Sequence, residues 1–316
     1  MHYPPYSHKK HYYDSRVKIG RSFLTLLASV CLIANSQVPL ATGVTPKSTL
    51  KILKVKSPEK DFPIRSVYVF TPAVSADEVD LLPVVYMLHG WPGSPNGLMA
   101  GLETPLEIAF AKGAKPFIAV FPDGNALTHS DSEWADSFDG RAMIETWLTT
   151  CVIQTVEARN IRSREDRAIL GFSMGGYGAA IIGLHHPDLF GQVVTLAGYF
   201  VIDDLTNAFG PDATSAKKQA YQTPVNYLKS AKKIRWFLGE SRQDYTALIR
   251  GQAAAWSAKL KTIKAPYSTS SANGGHSYVF VSGELPIIAK WFKWGTVTLS
   301  TPIATPTSTP TPTPTV

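Results

Sequence analysis

The chain has 316 residues, 44% of them hydrophobic and 17% charged, which suits one globular α/β domain with extensions. Its formal charge of +7 does not mark a nucleic-acid binder. Residues 1–36 hold five Lys/Arg (Lys9, Lys10, Arg16, Lys18, Arg21) against Asp14. That leaves about +3 for the rest, with no Lys/Arg cluster interleaved with aromatics.

In chain order, residues 1–36 read as a signal peptide with a long basic n-region, or as an uncleaved N-terminal anchor. The apolar run Phe23 to Ala34 is too short to span a bilayer comfortably. Ala34-Asn-Ser36 places small residues before a cleavage point at Gln37. Val30 ahead of Cys31 speaks against lipidation. Cys151 is then the only cysteine of the mature chain, so no intramolecular disulfide forms and stability rests on the core. Cys151 itself reads as a small buried residue of a helix.

Residues 37–47 form a lead segment, and 48–296 form the folded domain. Leu50 to Lys56 and Ile64 to Phe70 alternate like half-buried strands and suit an antiparallel pair. Leu82 to Leu88 and Phe117 to Phe121 are denser in apolar residues, as central parallel strands require. Helices are expected at Leu102 to Lys112, Ala142 to Ala158 and Met174 to Leu184. Strands are expected at Ala168 to Leu170, Gln192 to Leu196 and Ile234 to Leu238. The helix Ala247 to Leu260, the strand Tyr267 to Ser271 and the helix Leu285 to Trp294 complete an alternation that predicts a mostly parallel sheet covered on both faces. Residues 297–316 are a Thr/Pro-rich tail, with Thr-Pro repeats from Ser300 onward and too few apolar residues to fold it, readable as a disordered tail or as a glycosylated stalk or surface spacer.

The sharpest local signal is Gly171-Phe-Ser173-Met-Gly175, between a short apolar strand and a small-residue helix. This is the G-x-S-x-G pattern of a nucleophile elbow in the strand–turn–helix setting that gives it meaning. A serine hydroxyl needs a histidine to take its proton, and that histidine needs an orienting carboxylate. Of the three histidines after Ser173, His185 and His186 lie at the far end of the elbow helix, about 15 Å away at 1.5 Å per residue. They also precede every plausible acid, which leaves His276, in the loop Asn273-Gly-Gly-His-Ser-Tyr278.

The acids between Ser173 and His276 are Asp188, Asp203, Asp204, Asp212, Glu240 and Asp244. Asp188 reads as a turn former, and Asp203 and Asp204 as loop or cap residues. Glu240 and Asp244 follow the strand Ile234 to Leu238 at the sheet edge that carries the serine, so Asp244 is favoured with Glu240 as the alternative. The backbone N–H groups of Met174 and of Trp91, in the loop His89-Gly-Trp-Pro-Gly-Ser94, are the expected oxyanion donors. Pro92 has no N–H to offer.

Several stretches together resemble the putative-esterase family of α/β-hydrolases, whose members include esterase D, feruloyl and acetylxylan esterases, enterochelin esterase and the antigen 85 mycolyltransferases. They are Val84-Val-Tyr-Met-Leu-His-Gly90, Trp134-Ala-Asp-Ser137, Glu145-Thr-Trp-Leu148, Gly171-Phe-Ser-Met-Gly-Gly-Tyr-Gly178, His186-Pro-Asp-Leu-Phe190 and His276-Ser-Tyr278. The resemblance spans residues 50 to 295. It implies an α/β-hydrolase fold, no cofactor or metal, Ser173 as nucleophile, His276 as base, and Met174 and the Trp91 loop as oxyanion donors. It also implies that Trp134 and Asp136 line the substrate pocket. Members place the acid closer behind the glycine than Asp244 lies behind Gly239, so Asp244 and Glu240 both stay open.

The leading functional expectation is an exported serine carboxylic ester hydrolase. It would work through an acyl-enzyme on a small-molecule or polymer-borne ester, with cell-surface association through the N-terminus or the Thr/Pro tail. An acyltransferase of the mycolyltransferase type, with a sugar or alcohol acceptor, would use the same residues. A non-catalytic surface protein would keep the fold without turnover. Pocket walls are expected from the loops Asp131 to Arg141 and Ile202 to Tyr221, the second as a partial lid.

Overall fold

A computed structural model describes residues 47–295 apart from 60–61, 128–130, 159 and 202–215. The expected signal segment 1–36, most of the lead, the tail 297–316 and most of the expected lid loop lie outside the described residues. Among the described residues no helix is long and apolar enough to cross a membrane.

Eight strands form one sheet: β1 (Thr49–Lys56), β2 (Ile64–Thr71), β3 (Val84–Leu88), β4 (Ile118–Pro122), β5 (Arg167–Phe172), β6 (Gln192–Leu196), β7 (Arg235–Ser241) and β8 (Tyr267–Ala272). Their order is β1-β2-β4-β3-β5-β6-β7-β8. β1 pairs antiparallel with β2, and β2 antiparallel with β4; every later pairing is parallel. The central strands β3, β4, β5 and β6 are buried along their whole length. Their apolar runs lack the alternation of a one-sided sheet for that reason.

The main helices are α1 (Ala76–Val79), α2 (Pro95–Ala111), α3 (Ile144–Thr146), α4 (Ile153–Glu157), α5 (Met174–His185), α6 (Ala216–Tyr221), α7 (Leu228–Ala231), α8 (Gln252–Thr262) and α9 (Tyr278–Trp291). α5 packs over β3, β5 and β6, while α2 and α9 pack on each other.

Helix boundaries depart from the sequence expectation where glycine and proline obscure them. α2 begins at Pro95 rather than Leu102, because Ser94 caps it by accepting the Gly97 N–H at 3.1 Å and Pro95 takes the first helical position. α9 begins at Tyr278 rather than Leu285, capped by Ser277, with Pro286 lying inside it. α8 starts at Gln252 rather than Ala247, after Gly251 at φ +79°. The expected helix 142–158 is α3 and α4 joined by a π-helical stretch, Trp147–Val152. β7 runs on to Ser241 rather than stopping at Leu238, which matters for the site.

A buried polar knot holds the opposite end of the sheet from the site. The Arg167 guanidinium donates twice to Glu157, at 2.7 Å each, and Glu157 also accepts from the Tyr86 hydroxyl at 2.9 Å and the Arg162 N–H at 2.6 Å. These contacts tie α4 to β3 and β5 without leaving either charge uncompensated. Glu157→Ala strands the buried guanidinium and is expected to cost about 3–5 kcal/mol, measured by denaturant unfolding.

Candidate active site

Ser173 follows the last residue of β5 and precedes α5, at φ +58° and ψ −121°. A non-glycine residue in that region carries about 1–3 kcal/mol of strain unless its surroundings over-determine it. Here they do. The Ser173 N–H donates to the Leu196 carbonyl of β6 at 2.9 Å, and its carbonyl accepts from the Gly176 and Tyr177 N–H groups at 2.8 and 3.1 Å. The two motif glycines are needed for close approach. A Cβ on Gly171 would lie 1.8 Å from the Gly175 carbonyl oxygen, and one on Gly175 would lie 2.2 Å from the Leu88 carbonyl oxygen.

The parallel strands bring their C-terminal ends to one edge, where loops from three of them meet. His276 Nε2 stands 2.8 Å from Ser173 Oγ, and its Nδ1 stands 2.6 Å from Asp244 Oδ2. The loop that carries His276 needs its glycines, with Gly274 at φ +131° and Gly275 at φ +64°. Gln243 Oε1 accepts the Gly274 N–H at 2.9 Å, and the Ser277 hydroxyl donates to the Gly274 carbonyl at 2.7 Å. Phe172 lies against the His276 ring, centroids 4.8 Å apart.

Burial would raise the Asp244 carboxyl, but hydrogen bonds from His276 and Thr246 outweigh it and hold the group below its ordinary range. The structure brings Asp244, not Glu240, to His276. Glu240 lies within β7 opposite Ser271 and accepts the Gly251 N–H ahead of α8 at 2.9 Å. Because β7 extends to Ser241, the loop that can reach His276 begins only after it. That places the acid five residues behind Gly239 instead of nearer.

The loop after β3 approaches so closely that a Cβ on Gly90 would lie 3.0 Å from the Ser173 Cβ. Among the described residues, neither the Trp91 nor the Met174 N–H donates to a protein acceptor. Trp91 is 53% exposed at the mouth of the site. A cleft of about 400 Å³ opens here, walled by Trp91, Pro92, Phe172, His276 and Tyr278.

Trp134 and Asp136, expected on the pocket wall, have other positions. Positive φ at Glu133 (+49°) and Trp134 (+57°) turns the indole inward, where none of its surface is exposed. It packs against Gly124 and Gly178, and its Nε1–H donates to the His89 carbonyl at 3.0 Å, so it supports the Trp91 loop from beneath. Asp136 accepts the Thr146 N–H at 3.0 Å and its hydroxyl, fixing the start of the helical run. Beside Trp134 lies a buried acid that sequence reasoning did not single out. Burial, with the nearby Asp131 charge, pushes the Glu133 carboxyl up to about 8, against a hydrogen bond from the Tyr199 hydroxyl.

The two excluded histidines meet a different carboxylate. His185 Nδ1 and His186 Nε2 each lie 2.8 Å from Glu145 Oε1, and His185 Nε2 faces the Tyr221 carbonyl at 2.9 Å. The ring of His185 stacks on Tyr221 at 4.2 Å. Burial raises the Glu145 carboxyl, yet the two imidazoles overcome it and leave the group below its usual range. Nothing local in the sequence joins residue 145 to 185 and 186. Among the described residues no group of three or more His, Cys, Asp or Glu converges as a metal site.

The sequence pattern of the family described as "Putative esterase" matches residues 64–291. No curated protein matches the chain. Among solved structures, a ferulic acid esterase superposes with a TM-score of 0.65 at 21% identity, over 78% of this chain and 98% of that one. An S-formylglutathione hydrolase from Staphylococcus aureus gives 0.62 at 19% identity, over 78% and 98%. MPT51 from Mycobacterium tuberculosis gives 0.58 at 18% identity, over 77% and 97%. At these identities the likeness concerns the fold, which is that of the α/β-hydrolases.

Two outcomes follow from this geometry. Gly171→Ala is expected to destabilise the protein by more than about 3 kcal/mol, since its Cβ meets only backbone; thermal unfolding reads this out. Glu145, with its carboxyl depressed in the fold by His185 and His186 and near Asp136 and Tyr221, contributes stability that is present above its unfolded pKa. That contribution is lost as pH falls through the lower folded value. Glu145→Gln should therefore flatten the acid limb of a melting-temperature-against-pH curve, and an unchanged limb would refute the assignment.

Proposed function

The chain belongs to the putative-esterase family, and on that premise we propose that it is an exported serine carboxylic ester hydrolase working through Ser173, His276 and Asp244. One observation carries the reading. A single imidazole is hydrogen-bonded through Nε2 to a strained serine hydroxyl and through Nδ1 to a buried carboxylate. Ser173 Oγ attacks the ester carbonyl while His276 Nε2 takes its proton, and Asp244 stays ionised and holds the imidazolium in place. The carbonyl oxygen, now negative, is received by the Met174 and Trp91 N–H groups, which have no other acceptor among the described residues.

Collapse of the tetrahedral adduct expels the alcohol, which takes its proton from His276. Water then enters, gives a proton to the same nitrogen and attacks the acyl-enzyme. The free acid leaves as Ser173 regains its hydrogen. The substrate is a small-molecule or polymer-borne ester, and segment 1–36 supports work outside the cytoplasm, either free or held at the cell surface.

A fluorophosphonate probe should label the wild-type protein at Ser173, with labelling lost in Ser173→Ala. His276→Ala should remove nearly all hydrolysis of 4-nitrophenyl acetate. Asp244→Asn should lower kcat by about 10⁴-fold, while Glu240→Gln stays near wild type. An unlabelled wild-type protein, or a fully active Asp244→Asn, would refute the proposal. Product analysis with added glycerol or trehalose should give mainly free acid; dominant transfer to the added alcohol would make the enzyme an acyltransferase.

A further inference from the structure

The two oxyanion donors belong to peptide units whose carbonyls point the other way. In a trans peptide the N–H and C=O are antiparallel, so whatever holds the carbonyl aims the N–H. The Met174 N–H shares its peptide with the Ser173 carbonyl, which α5 holds through the Gly176 and Tyr177 N–H groups. The Trp91 N–H shares its peptide with the Gly90 carbonyl, and no helix begins there to hold it. Its partner is instead a side chain. His89 Nδ1 lies 2.9 Å from the Gly90 carbonyl oxygen.

The other ring nitrogen settles which proton form does this. The Gly124 N–H donates to His89 Nε2 at 3.1 Å, so Nε2 presents a lone pair and Nδ1 carries the hydrogen. The ring is fully buried. Asp123 stands 3.9 Å from Nε2, too far for a hydrogen bond, and Arg65 adds an opposing positive charge. Burial, the largest influence, keeps the ring's affinity for a second proton low. The Trp134 indole lies edge-on to the ring at 5.1 Å and also binds the His89 carbonyl.

We infer that His89, as the neutral Nδ1–H tautomer, is a positioning residue that aims and polarises the Gly90–Trp91 peptide as the second oxyanion donor. This rests on the ester-hydrolase reading above. A hydrogen bond to the carbonyl strengthens the N–H on the other side of the same peptide, so the effect is on the charged adduct more than on bound substrate. His89→Leu removes the anchor; His89→Asn keeps an N–H donor close to the position of Nδ1.

Both variants are compared with wild type on 4-nitrophenyl acetate and on an alkyl boronic acid, which mimics the tetrahedral adduct. His89→Leu should lower kcat about 10- to 100-fold, part of the 10²–10³ that loss of a whole oxyanion donor brings, with KM nearly unchanged. Boronate affinity should fall in parallel, and His89→Asn should recover most of both. Nitrogen-15 NMR of the wild-type protein labelled at histidine should show His89 neutral, with its proton on Nδ1. The inference is overturned by a folded His89→Leu with wild-type kcat, by an Asn variant as impaired as Leu, or by a proton found on Nε2. If His89→Leu does not fold, the Asn variant and the NMR still decide. Failure of the underlying reading looks different: wild-type protein that neither hydrolyses ester nor takes up fluorophosphonate, whatever the tautomer.

Discussion

Ser173 is held at a backbone conformation that its side chain disfavours, and much of the local structure exists to keep it there. β5 must carry glycine at its next-to-last position, Gly171, because the first turn of α5 folds back onto it. α5 must carry glycine at its second and third positions, because the Leu88 carbonyl at the end of β3 presses on Gly175 and Gly198, just after β6, presses on Gly176. Burial of β3, β5 and β6 along their length makes those approaches rigid, since displacing any strand would open the core. The strain is thus a property of the whole sheet, concentrated at one residue where a hydroxyl is projected from its edge.

The same edge gathers groups whose charge the fold controls in opposite directions. Asp244 is kept ionised by hydrogen bonds that outweigh its burial, while Glu133, a short way around the site, is pushed up to about 8 because burial wins there. The difference lies in partners. Asp244 receives His276 and Thr246, whereas Glu133 has a phenol hydroxyl and a neighbouring carboxylate. One carboxyl is suited to face an imidazolium, and the other to stay neutral within packed aromatics.

Most of the fold was legible because its signals are local. Apolar density separates the buried central strands from the alternating β1 and β2, and the elbow motif needs only five consecutive residues. Chain order sufficed to select His276 over His185 and His186, since a helix of known rise carries those two away from Ser173. What could not be read depends on backbone turns or distant partners. Positive φ at Glu133 and Trp134 turns inward an indole that the family resemblance places on the pocket wall. Glu145 and the His185–His186 pair sit in separate motifs, and only the packing of α5 against the helical run reveals that they are one feature.

The spacing behind Gly239 shows how a departure from a family pattern resolves in physical terms. An acid close behind a strand-ending glycine suits a strand that ends with it. Here β7 keeps its ladder with β8 as far as Ser241 and Ala272, so residues 240 and 241 are committed to the sheet. A carboxylate at 240 then points to the start of α8 and is consumed in holding Gly251. The next turn, in which the Asp244 N–H donates to the Ser241 carbonyl, is the first that can deliver a side chain across to the loop of His276. Lengthening a strand by two residues therefore moves the acid along the chain while leaving its place beside the imidazole unchanged.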